Sequence, residues 1–169
     1  MRARKFPDLN LLGVKYILTI DSITNPQYKL VLEEGRTKTY QNLDVLPKAF
    51  FASEVSMLNS KQEIFDTLYS EKFDHSKTVI ISGSKIPNTP VAVGKAKVTS
   101  YKPNEVLLDV DVEATSTGKG YLVLTDVNYP SWHAQLDGQE TDIFTADYIF
   151  RGVVVPPGRH KIRFFVKLF

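Results

Sequence analysis

Hydrophobic and polar residues alternate along the second half of the sequence with the period of a β-strand. In residues 106–113 a valine or leucine occupies every second position, and most of the residues between them are acidic. Other short β-rich runs lie at residues 121–125, 134–136, 148–155 and 162–168. Turn formers separate these runs, and Asp137-Gly138 is typical of a two-residue type I′ hairpin turn. Short strands with such turns predict an antiparallel β-sandwich.

The first half of the sequence predicts strands with one main helix among them. Runs of β-branched and aromatic residues predict strands at residues 14–20, 28–33, 37–41, 49–55 and 78–82. Gly35 lies between the second and third of these, where a tight hairpin needs a positive φ. Ser60 and Glu63 have the spacing of a capping box, and apolar residues then recur at helical spacing. We therefore expect a helix near residues 61–70, packed on a sheet.

A stretch rich in Gly, Ser, Asn and Pro, residues 83–90, separates the two halves. Such a composition is typical of linkers and turns. We therefore expect an α+β fold that is mostly β. A small N-terminal mixed α/β subdomain, residues 1–90, is packed on or linked to a C-terminal antiparallel β-sandwich of jelly-roll-like form, residues 91–169.

The composition narrows the class of protein. The chain has 169 residues, of which 43% are hydrophobic, enough for one domain or two small ones with a true core. Its 21 basic and 19 acidic residues leave a net charge of +2, too little to indicate a nucleic-acid partner. The absence of cysteine excludes disulfides, thiol catalysis and thiolate metal sites. No apolar run reaches the roughly 18 residues of a membrane helix, so this polypeptide is expected to be soluble.

Candidate catalytic and metal-binding residues are few. The three histidines lie far apart in sequence, at His75, His133 and His160, and none has the spacing of a zinc motif. Acidic residues share one face of a predicted strand at Asp109, Asp111 and Glu113; they fit either a hard cation or, more commonly, a solvated strand face. The sequence contains no recognisable pair of nucleophile and base. We therefore predict no catalytic residue, no metal and no cofactor.

The segment from residue 124 to residue 138 is the richest in candidate chemistry. Tyr129 and Trp132, the only tryptophan, flank a proline in a predicted loop, with Asp126 and Asn128 nearby. Aromatic rings can stack on a sugar while polar groups bind its hydroxyls, so these four residues are candidate glycan contacts. Alternatively, Tyr129 and Trp132 cap the core of the sandwich and fix the geometry of the loop.

The C-terminal stretch, residues 151–169, carries five basic residues and no acidic one, interleaved with apolar residues. It stops within this apolar pattern, so we expect a fragment whose parent protein continues, toward a membrane with anionic headgroups. A second interpretation is an interaction domain with an exposed apolar patch around Phe164, Phe165 and Phe169.

Read together, the segments resemble the C-terminal extracytoplasmic region of the YfhO family, large bacterial polytopic membrane proteins grouped with GT-C-type glycosyltransferases. The most specific stretch is LVLTDVNYPSW at residues 122–132. The other matching segments, in order, are residues 11–19, 39–42, 46–50, 73–74, 78–81, 100–104, 136–138, 146–151 and 155–160. One departure is Ser131, where the family pattern has glycine between proline and tryptophan.

The resemblance implies a non-catalytic accessory domain on the extracytoplasmic side of a bacterial cell membrane. Its parent would act in glycosylation of the cell envelope, of the teichoic-acid type, with a sugar donor carried on polyprenyl phosphate. The catalytic acidic residues of GT-C enzymes lie in loops near N-terminal membrane helices, so none is carried over to this chain. The implied partners are the membrane-embedded part of the same parent chain and an envelope glycan or polyprenyl-phosphate-sugar. The alternatives are a carbohydrate-binding module using Tyr129 and Trp132, or a purely structural interaction domain.

Overall fold

A computed structural model describes residues 7–70, 72–82, 90–113 and 118–167. Strands make up 56% of the structure and helices 7%, which confirms an α+β fold that is mostly β. The chain divides into two compact units, Met1–Pro47 and Lys48–Phe169. Each unit is described by itself.

The first unit is a short helix followed by a three-stranded antiparallel sheet. Its elements are α1 (Pro7–Leu11), β1 (Tyr16–Thr19), β2 (Tyr28–Glu34) and β3 (Thr37–Asn42), with strand order β1-β3-β2. Gly35 connects β2 to β3 with φ of 57°, so the predicted hairpin and its glycine are confirmed. Asn42, which is 1% exposed, donates from Nδ2 to Asn10 Oδ1 at 2.8 Å and to the Val14 carbonyl at 2.9 Å. This buried amide holds α1 and the segment after it against β3.

In the described part of the second unit there are two sheets and one helix. Its strands are β4 (Ala49–Ala52), β5 (Glu54–Met57), β6 (Thr78–Ser82), β7 (Gly94–Lys102), β8 (Glu105–Val112), β9 (Gly120–Val127), β10 (Trp132–Leu136), β11 (Gln139–Thr141), β12 (Phe144–Ala146), β13 (Phe150–Val155) and β14 (Gly158–Val166). The helix α2 is Lys61–Leu68. One sheet has the order β11-β10-β14-β8-β7 and the other β4-β9-β13-β12-β6-β5.

The core of the second unit lies between these two sheets. β8 buries its alternate residues, as the sequence predicted: Val106, Leu108, Val110 and Val112. They pack in one cluster with Leu122 and Leu124 of β9 and Val153 and Val155 of β13. Because side chains from both sheets form this cluster, the predicted β-sandwich is confirmed. Its strand pairs are antiparallel except for β5 and β6, which are parallel. Phe164 belongs to the same cluster and has no exposed surface.

The exposed apolar patch expected at the C-terminal end is therefore wrong for Phe164. β14 has period-two alternation, which turns Phe164 toward the core and its neighbour Phe165 outward. Phe165 is half-buried between the ring of His133, 5.7 Å away between centroids, and the guanidinium of Arg163. Phe169 lies outside the described residues.

Helix α2 connects two parallel strands, β5 and β6, and packs on the six-stranded sheet. Its buried residues Ile64 and Leu68 contact Ile80 of β6, so the predicted helix on a sheet is confirmed. The capping box is not: Ser60 is the N-cap residue, but its hydroxyl makes no capping hydrogen bond. The backbone begins the helix instead, through the bond from Ile64 N–H to the Ser60 carbonyl at 3.0 Å.

The division of the chain falls at residue 47, whereas the sequence placed a boundary at residue 90. Strands β4, β5 and β6 precede residue 90, yet they pair within the same sheet as β9, β12 and β13. The run predicted as one strand at residues 49–55 is two strands, which divide at Ser53 and pair with β9 and β6 respectively. Of the predicted linker, residues 83–89 lie outside the described residues.

Candidate functional site

The candidate site begins where β9 leaves its sheet. Asn128 follows β9 directly, its N–H donating to the Ile149 carbonyl at 2.7 Å and its side-chain Nδ2 to Thr145 Oγ1 at 2.9 Å. The next four residues form a tight turn, closed by the bond from Trp132 N–H to the Tyr129 carbonyl at 3.0 Å. This turn starts β10, so Tyr129 lies in a loop and Trp132 begins a strand.

An open cleft of about 590 Å³ lies beside this turn. Its lining includes three of the four predicted glycan contacts, Asn128, Tyr129 and Trp132. Tyr129 is 60% exposed, so it does not cap the core. Trp132 is half-buried and packs against the core cluster. The volume lies within the range of ordinary ligand sites.

The opposite side of the cleft comes from the β10–β11 hairpin and the residues after it. Glu140 and Asp142 line it from this side. The hairpin turn consists of Asp137 at φ 50° and Gly138 at φ 84°, which confirms the predicted two-residue turn with both φ values positive. The cleft therefore combines aromatic surface with carboxylate and amide acceptors, the groups that bind sugar hydroxyls.

The turn of this hairpin is fastened to β14. Asp137 Oδ1 accepts from the N–H of Lys161 at 2.7 Å, and Oδ2 lies 2.6 Å from His160 Nδ1. The hydrogen bond from His160 lowers the pKa of Asp137. Partial burial lowers the pKa of His160, but the bond to Asp137 and the neighbouring Pro157 carbonyl outweigh it, so that pKa is raised. The two side chains hold the hairpin that carries Glu140.

Asp126, the fourth predicted contact, does not line the cleft. Its carboxylate is already held by three side chains: it pairs with Lys48, accepts from the Tyr101 hydroxyl at 3.0 Å and accepts from Arg151 Nη2 at 2.9 Å. Lys48 also donates to the Thr125 carbonyl at 3.0 Å. The carboxylate thus organises the end of β9 behind the turn.

Arg151 is the residue of the site that the sequence reasoning missed. It is 2% exposed, with its Cζ 3.6 Å from the centroid of the Trp132 ring. A second bond joins its Nη1 to the Val127 carbonyl at 3.0 Å. Burial lowers the pKa of its guanidinium, while the Asp126 carboxylate opposes that change. The only sequence signal was a single arginine inside the otherwise apolar run of residues 149–155.

Two structural findings and three comparisons with known proteins complete the description of the site. Within the described ranges, no three side chains among His, Asp and Glu cluster closely enough to hold a metal ion. The helices in that part of the chain are all too short or too polar to cross a membrane. Searches against protein-family models, curated proteins and solved structures returned no match.

Proposed function

We propose that this chain is a non-catalytic domain that contacts glycan, on the extracytoplasmic side of a bacterial membrane protein of the glycosyltransferase-like YfhO family. The observation that carries the glycan contact is the cleft in which Asn128, the exposed Tyr129 and Trp132 share one lining. Aromatic faces recognise the apolar face of a sugar ring, and amide and carboxylate groups recognise its hydroxyls. The domain would hold an envelope glycan near the membrane-embedded part of its parent chain.

The site also lies where the resemblance is most specific. Residues 122–132, the longest matching segment, form most of β9, the turn and Trp132. Residues 136–138 form the hairpin turn of the opposite wall, and residues 146–151 end on Arg151, which stacks on Trp132. These segments are distant in sequence, yet one lines the cleft, one forms the turn of the hairpin opposite and one supplies the arginine stacked on Trp132, which supports a shared role for them.

The glycan contact is tested by titration of the purified chain with a panel of sugars. The panel contains cellotriose, tri-N-acetylglucosamine, and poly(glycerol phosphate) in a glucosylated and an unglucosylated form. Binding of each compound is measured by isothermal titration calorimetry. We expect millimolar to micromolar binding of at least one glycosylated member, weakened about tenfold in Tyr129→Ala because a stacking ring is lost. The matched control is Tyr69→Ala, since Tyr69 is 61% exposed on α2's C-terminal end, away from the cleft lining. No binding across the panel, or equal loss in both variants, contradicts the proposal.

The role in the parent protein is tested in cells. A parent that lacks residues 1–169 is compared with the intact parent after its level in the membrane has been confirmed. We expect reduced sugar content of the envelope polymer in the deletion strain and recovery when the domain is restored. Unchanged envelope glycosylation at equal membrane levels refutes a role in transfer.

A further inference from the structure

Arg151 lies at an unusual position for a charged side chain. It belongs to β13, whose neighbouring residues fill the core, and it is 2% exposed. The pairing of β13 with β9 changes register between Phe150 and Arg151. The extra residues of this irregularity lie on β9, where Leu124 pairs with Arg151 and Val127 with Phe150. Arg151 has the same strand parity as Val153 and Val155, which belong to the core cluster, so period-two alternation turns its guanidinium toward Trp132, which lines the cleft.

Two hydrogen bonds hold the guanidinium in place. Nη2 donates to Asp126 Oδ2 at 2.9 Å and Nη1 to the Val127 carbonyl at 3.0 Å. Asp126 is in turn paired with Lys48 and accepts from Tyr101. Because the carboxylate has these two other partners, it keeps hydrogen bonds when the guanidinium is removed.

One face of the guanidinium lies against the ring of Trp132. Its Cζ is 3.6 Å from the centroid of the indole, the separation of a stacked pair. Trp132 begins β10 of the five-stranded sheet, whereas Arg151 belongs to the six-stranded sheet. The stack therefore bridges the two sheets beside the turn that contains Tyr129, and it covers one face of the indole.

We propose that Arg151 is a positioning residue: it locks the Trp132 ring so that only the face opposite the guanidinium, on the cleft side, is available to a sugar. A ring that is already ordered loses less freedom on binding, so the lock raises affinity without touching the glycan. The effect on glycan affinity rests on the function proposed above. The locking of Trp132 does not, since it is measured without any sugar.

The test uses Arg151→Met and Arg151→Lys in the whole chain, with Arg163→Met as the matched control. Arg163 also stacks on an aromatic ring, with Cζ 4.5 Å from the centroid of Phe165, and also pairs with a carboxylate, that of Glu105. Trp132 is the only tryptophan, so its fluorescence reports on this ring alone. Acrylamide quenching and emission wavelength are measured first, and affinity for the tightest-binding member of the sugar panel second, with circular dichroism to establish folding.

We expect acrylamide quenching to rise about twofold in Arg151→Met and less in Arg151→Lys, which keeps the charge but loses the planar stack. Affinity for the sugar should fall about tenfold in Arg151→Met, because binding then has to order a Trp132 ring that is no longer held. Arg163→Met should leave both readouts unchanged. Unchanged quenching in a folded Arg151→Met, or an equal change in Arg163→Met, overturns the proposal, as does failure of both Arg151 variants to fold.

One outcome is that quenching changes in Arg151→Met while the unmodified chain binds no sugar of the panel. In that case Arg151 does order Trp132, but the proposed function is refuted. If quenching changes but affinity for a sugar that does bind stays the same, the lock is structural alone and the proposed contribution to binding is refuted. The two proposals can therefore fail separately.

Discussion

The substitution Asp147→Asn should change how the stability of the second unit depends on pH. Asp147 lies between β12 and β13 and is 3% exposed. Its Oδ1 accepts from the N–H of Ile80 at 2.8 Å, and its own N–H donates to the Ile80 carbonyl at 2.8 Å. Among the described residues, Oδ2 is buried without a hydrogen-bond partner. Burial therefore raises the pKa of Asp147 from 3.8 to about 7.

The magnitude follows from linkage between protonation and folding. Because the folded pKa is above the unfolded one, the stabilisation of protonated Asp147 is fully present below about pH 3.8 and is lost as the pH rises through about 7. A shift of about three units is worth about 4 kcal/mol in full. Between pH 5 and pH 8 the loss amounts to about 2.5 kcal/mol in the free energy of unfolding.

Asparagine is a close replacement at this position. Asp147 has φ of 46°, a conformation that asparagine adopts more readily than most residues. The amide oxygen of asparagine can still accept the hydrogen bond from the Ile80 N–H. The asparagine side chain has no acidic proton to lose as the pH rises. Between pH 5 and pH 8, Asp147 should lower the free energy of unfolding of the unmodified protein by about 2.5 kcal/mol. We expect this contribution to be absent in Asp147→Asn.

The assay is urea denaturation at several pH values between 5 and 8, followed by Trp132 fluorescence because Trp132 belongs to the same unit. Asp66→Asn is the control, since Asp66 is an exposed carboxylate on α2 of that unit. Its pH dependence should match that of the unmodified protein. Parallel curves for the unmodified protein and Asp147→Asn would refute the reasoning that the carboxyl is protonated in the folded state.

Two other substitutions test contacts that support the site. Gly152→Ala should destabilise the second unit by about 3 kcal/mol in urea denaturation, because a Cβ would clash with Phe144 Cζ and lie 2.5 Å from the Leu122 carbonyl oxygen. An unchanged midpoint would contradict this prediction. His160→Gln should lower the melting temperature more at pH 5.5 than at pH 9. The raised pKa of His160 makes its stabilisation fully present below its unfolded pKa, about 6.5, and lost as pH rises through the folded value. Equal shifts at both pH values would argue against a protonated His160 bound to Asp137.

Local features of this fold were readable from the sequence. Alternation alone identified the buried face of β8, and turn chemistry identified the connections at Gly35 and Asp137-Gly138. The helix was placed from its apolar spacing even though Ser60 makes no side-chain cap. These predictions succeeded because each depends on residues only a few positions apart.

Three of the four residues predicted as glycan contacts line the cleft, and the fourth does not. Asn128, Tyr129 and Trp132 lie within five residues of one another, and the structure places all three on one cleft. Asp126 lies only two residues earlier, yet Lys48, Tyr101 and Arg151 hold it behind the turn. Proximity along the chain did not distinguish a residue that faces the cleft from one that supports it.

The amino-acid sequence by itself determined the strand periods, the turns and the segment that carries the aromatic residues. Only the tertiary structure decided that β4, β5 and β6 complete the six-stranded sheet and that Arg151 stacks on Trp132. The bond from Lys48 to the Thr125 carbonyl joins residues 77 positions apart. Such pairings depend on which strands become neighbours after folding, and no local pattern of hydrophobic and polar residues specifies that choice.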